Sequence, residues 1–95
     1  MNKYELLTIF NGTLSDEDKE KIVAKYTAMM ESNGGKVVNV NKWGMKKFAY
    51  PIDYKKEGYY VFFEFENAPE VPAKINALMN IDENVLRSLC LRKDN

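Results

Sequence analysis

Histidine is absent from this 95-residue chain, and cysteine occurs once. Without histidine there is no Ser-His or Cys-His nucleophile pair, no imidazole general base and no His-containing zinc site. The lone Cys90 excludes an internal disulfide and a cysteine-rich metal cluster, so a cytoplasmic setting is expected. An excess of one charge is also missing. Fourteen Lys and Arg balance fourteen Asp and Glu, which excludes a uniformly basic nucleic-acid binder but not a protein with one basic face. No apolar run reaches the roughly 18 residues of a membrane span. The opening Met1-Asn2-Lys3-Tyr4-Glu5 has no signal-peptide core either. Five glycines and three prolines form no linker, and the expectation is one domain over 1–95 with no cofactor, membrane contact or small-molecule substrate.

What is present is a change of period along the chain. Tyr4 to Phe10 reads as a strand, rich in aromatic and aliphatic residues. Ser15 with Asp18 three residues later reads as a helix N-cap, reinforced by Asp16 and Glu17 in the first turn. Ile22, Val23, Tyr26, Met29 and Met30 then form a stripe at 3- and 4-residue spacing, and Gly34 supplies a left-handed stop. Lys36 to Ile52 is extended, with a bulge or bend expected at Trp43-Gly44. A turn is expected over Tyr54–Gly58, and Tyr59 to Glu66 is the clearest strand. Pro69 and Pro72 introduce a second helix carried by Val71, Ile75, Leu78 and Met79, before a last strand from Val85 to about Arg92. The order β-α-β-β-α-β predicts an α+β, ferredoxin-like sandwich: a four-stranded antiparallel sheet with both helices on one face. Strands 1 and 3 should be central and strands 2 and 4 edges. That architecture alone decides no function.

Two patterns bear on function. Six lysines (36, 42, 46, 47, 55 and 56) fall between Lys36 and Gly58, interleaved with Trp43, Phe48, Tyr50 and Tyr54. Lysines contact phosphates and aromatic rings stack on unpaired bases, so an extended hairpin of this kind can present both to RNA. The plainer reading is a sheet edge protected by lysines. The expected RNA-contact set is Lys3, Lys42, Lys46, Lys47, Tyr50, Lys55, Lys56, Arg87, Arg92 and Lys93. Secondly, alternation makes three strands apolar on both faces, although helices cover only one. Leu7, Ile9, Phe62, Leu89 and Leu91 fall on the helix-free face and, with Trp43 on the edge strand, form the expected protein-partner set. Glu64 and Glu66 share a face without a third ligand or a nucleophile, and read as a solvent-facing pair.

Several segments together resemble the family of the sixth protein of the bacterial small ribosomal subunit. They are Tyr4-Glu5, Gly34-Gly35, the run Trp43-Gly44-Met45-Lys46-Lys47-Phe48-Ala49-Tyr50-Pro51-Ile52, Gly58-Tyr59 and Asn84-Val85-Leu86-Arg87. The likeness covers essentially the whole chain. It departs from the family where lysine stands for arginine at 46 and 47, where Phe48 replaces leucine, and where Ser88 and Cys90 replace valines. The resemblance implies a ferredoxin-like fold and no enzymatic activity. It also implies a place in the ribosome on the central domain of 16S ribosomal RNA, beside ribosomal protein S eighteen and other platform proteins. A ferredoxin-like dimeric regulator binding a small metabolite is the alternative. An acylphosphatase-like enzyme ranks third, since no Gly-rich anion loop with a nearby Arg is present.

Overall fold

The computed structural model describes residues 2–52 and 55–93. Its elements are β1 (Asn2–Asn11), α1 (Asp16–Ser32), β2 (Lys36–Ile52), β3 (Lys55–Asn67), α2 (Val71–Asn80) and β4 (Val85–Lys93). All strand pairs are antiparallel, in the order β2-β3-β1-β4. The predicted α+β ferredoxin-like arrangement is therefore present, with β1 and β3 central.

Local chemistry accounts for the boundaries. Ser15 caps α1, its hydroxyl accepting the Asp18 backbone N–H at 3.1 Å. At the other end Gly34 sits at φ 82°, and its N–H donates to the Glu31 carbonyl. The helix side of the sheet is the core. Leu6 and Phe10 of β1 and Val61, Phe63 and Phe65 of β3 pack there against Tyr26 and Met30 of α1 and Ile75 and Met79 of α2. Leu78 departs from expectation: it is 44% exposed, because the α2 stripe that meets the sheet runs through Val71, Ile75 and Met79. The expected turn is shorter as well. Lys55 already pairs with Ile52, so Lys55–Gly58 belong to β3.

Two glycines shape the functional half of the sheet. Gly44 has φ 88° at a register shift between Lys42 and Gly44, the bulge expected at Trp43-Gly44. Gly58 is needed for space: a Cβ there would lie 2.6 Å from Ile9 Cγ2 and 2.8 Å from Phe48 Cζ. Its bare backbone lets both side chains settle over the strand.

Candidate nucleic-acid and partner interface

The bulge decides where the side chains of β2 go. Lys42 pairs with Val61 and Gly44 with Tyr60, which leaves Trp43 unmatched. The Trp43 ring lies over the helix-free face, stacked on Phe62 (centroids 5.6 Å apart, 15° between planes) and on Tyr60 (6.4 Å, 10°). Lys42, one residue earlier, goes to the opposite face. There it meets the Glu20 carboxylate of α1 at 2.6 and 2.8 Å, and this hydrogen-bonded pairing raises its pKa. Lys42 was expected among the phosphate contacts; the structure gives it an acidic partner instead.

The other cations of that set fall into two groups. Lys46, Lys47, Lys55, Lys56 and Arg87 gather at the hairpin end of the sheet, and none of them has a carboxylate partner among the described residues. Lys46 rests over the Trp43 ring at 5.9 Å. Lys47, Lys55 and Lys56 line a recess of about 570 Å³ with Asn11, Gly12, Thr13 and Glu57. Lys3, Arg92 and Lys93 lie at the far end. Lys3 and Ile9 are six residues apart on β1, and Ile9 shares its row with Arg87, so the ends are separated by about 20 Å. Lys93 is held by Glu5 (3.7 Å) and Glu64 (3.5 Å), and Arg92 Nη2 lies 3.4 Å from Asn2 Oδ1. Lys93 at the far end thus meets carboxylates, whereas Lys3, like the five hairpin-end cations, has no carboxylate partner among the described residues. Tyr54, read with the basic hairpin, lies outside the described residues.

Tyr50 is 82% exposed. It borders a second recess of about 330 Å³ shared with Lys47, Phe48, Ala49, Pro51, Tyr60 and Arg87. Phe48 and Tyr60, which form its aromatic wall, were not in the residue sets drawn from sequence. Tyr60 was legible by alternation, whereas Phe48 depends on the gap over Gly58.

The apolar set is assembled nearly as expected. Leu7 pairs with Phe62 on one side and Leu89 on the other, making one row across three strands. Leu89 and Leu91 are 56% and 55% exposed, and Leu7 and Phe62 are half-buried, Phe62 beneath Trp43. Ile9 is the correction: at 9% exposure it is buried where Phe48 and Gly58 close over it, and offers little to a partner.

Known proteins match this chain along its length. The family described as ribosomal protein S6 matches residues 3–92. Small ribosomal subunit protein bS6 of Fusobacterium nucleatum is 39% identical over 94 residues, covering 99% of this chain and 100% of that protein. Its counterpart in Caldanaerobacter subterraneus is 33% identical over 94 residues, 99% of each. The crystal structure of 30S ribosomal protein S6 from Thermotoga maritima superposes with a TM-score of 0.92 at 25% identity, covering 97% of this chain and 87% of that one. An Arabidopsis thaliana protein with TM-score 0.58 and 16% identity, covering 100% of this chain and 95% of its own, shares the fold alone.

Proposed function

Since the chain belongs to the ribosomal protein S6 family, we propose that it binds the central domain of 16S ribosomal RNA together with ribosomal protein S eighteen. It is a structural component of the small ribosomal subunit and not an enzyme. The metabolite-regulator alternative gives way to that membership. Its work is binding, and the observation that carries the RNA reading is the sorting of charge. Lysines whose ammonium groups already meet carboxylates gain less from a phosphate, because an internal partner must be released. Lys47, Lys55, Lys56 and Arg87 have no such internal competitor among the described residues, and Lys46 has only a ring. These five residues are the proposed phosphate contacts; the lysines act as point charges and Arg87 can act through two parallel donors. Leu7, Phe62, Leu89, Leu91 and Trp43 are the proposed partner-docking surface.

A net charge of zero predicts weak RNA binding by the protein alone. Adding the partner supplies further phosphate contacts and a preformed surface, and should tighten binding markedly. The test is a filter-binding titration of a central-domain 16S fragment with each protein alone and with both. Tight, specific binding by this protein alone would overturn the cooperative reading.

A further inference from the structure

We propose that the recess between Phe48–Pro51, Tyr60 and Arg87 takes a single unstacked base of an RNA strand. The inference rests on the RNA-binding reading above and adds a substrate class, unpaired RNA in preference to duplex.

Three observations carry it. The first is backbone shape: β2 advances five residues from Lys47 to Ile52 while its partners on β3 step back only two, from Glu57 to Lys55. The four residues of β2 between them, Phe48 to Pro51, have no paired partner on β3 and outnumber the one residue opposite by three, so this segment bows out of the ladder and opens the recess. The second is Tyr50, which is 82% exposed and makes no ring contact or hydrogen bond among the described residues. An exposed aromatic ring lining the same recess as two others, Phe48 and Tyr60 (6.1 Å apart, tilted 50°), offers a surface on which a base can stack. The third is charge: Arg87 offers a guanidinium plane on which a base can stack, and Lys47 offers an ammonium to the adjoining phosphate. At about 330 Å³ the recess lies at the low end of the roughly 300–1,000 Å³ of small-ligand sites, as one base requires. A duplex keeps its bases stacked inside and cannot fill it. The competing occupant is a side chain of a partner protein.

The experiment is an NMR titration of the full chain, at low salt, with single-stranded oligouridylate and with an RNA duplex of the same length. Tyr50→Ala should weaken binding of the single strand about 5-fold or more, while Tyr50→Phe keeps it and the duplex affinity is unchanged. Lys56→Ala should weaken both ligands. Shifts of the Tyr50 and Tyr60 ring protons on adding the single strand alone would locate the base. If Tyr50→Ala leaves single-strand affinity intact while Lys56→Ala lowers it, RNA binding stands and the base recess falls. If Tyr50→Ala lowers only the affinity for the partner protein, the recess is a protein contact and the proposal is overturned. If neither RNA binds this chain, alone or with the partner protein added, both readings are overturned together.

Discussion

Tyr26 and Asp82 join α1 to the loop before β4 by a 2.6 Å hydrogen bond that the tyrosine hydroxyl donates. Burial alone would raise the Asp82 pKa. The bonds from Tyr26 and the Asn84 backbone N–H, with Lys25 at 3.6 Å, outweigh that and hold it below the ordinary carboxylate range. Burial, then the neighbouring Asp82, pushes the Tyr26 hydroxyl well above its ordinary value of 10.0. The signs follow from linkage. A depressed Asp82 stabilises the fold above the unfolded carboxyl value and loses that contribution as pH falls through the folded value. A raised Tyr26 stabilises fully below pH 10 and loses its contribution as pH climbs further. Tyr26→Phe should therefore cost about 2 kcal/mol at neutral pH, with a shallower acid limb and a flatter alkaline limb in melting temperature against pH. Unchanged limbs would mean the clasp is not what titrates. Nothing in the sequence links residues 26 and 82, whereas the Ser15 cap was legible because its partner, Asp18, is three residues away.

At the scale of elements, the β2–β3 hairpin carries the proposed RNA contacts, and its lysines differ in what they already touch. Lys47→Ala and Lys55→Ala should each lower the slope of log affinity against log salt by about one, as expected when one phosphate is no longer neutralised. Lys42→Ala should leave the slope alone, since its ammonium is engaged by Glu20. Stability should move by less than about 0.5 kcal/mol in the first two variants. Equal slopes for all three would show that these side chains serve only the sheet edge. The hairpin and its bulge were legible from Gly44 within an extended run. The destination of Lys42 was not, because a bulge exchanges the faces of the residues around it and periodicity cannot locate the exchange to one residue. The turn was misplaced for a related reason: Lys55, Lys56 and Glu57 have low strand propensity, and Lys55 and Glu57 pair only because the antiparallel partner is already aligned.

Across the whole molecule, the two faces of the sheet have separate work. One is closed by helices; the other keeps Leu89 and Leu91 largely exposed beside the half-buried Leu7 and Phe62. Leu89→Ser combined with Leu91→Ser should lower affinity for the protein partner by more than about 1 kcal/mol if these residues are central contacts. The fold should be little affected, as both side chains are already half in water. Phe62→Ser is a poorer probe, since Trp43 stacks on that ring and the change would also loosen β2. Isothermal titration with the partner decides the point: unchanged affinity in the double variant would move the docking site to the β2 edge around Trp43. That this face was apolar could be seen from alternation alone, because strand period is unambiguous away from bulges; that Ile9 is covered could not. While the chain is being synthesised, β1 is not yet the central strand it becomes. Its outer edge stays open until residues 85–93 arrive to pair with it. Nascent chains on neighbouring ribosomes would meanwhile present matching unpaired edges, apolar on both faces, to one another. Arrival of β4 ends that exposure by sealing the edge of β1.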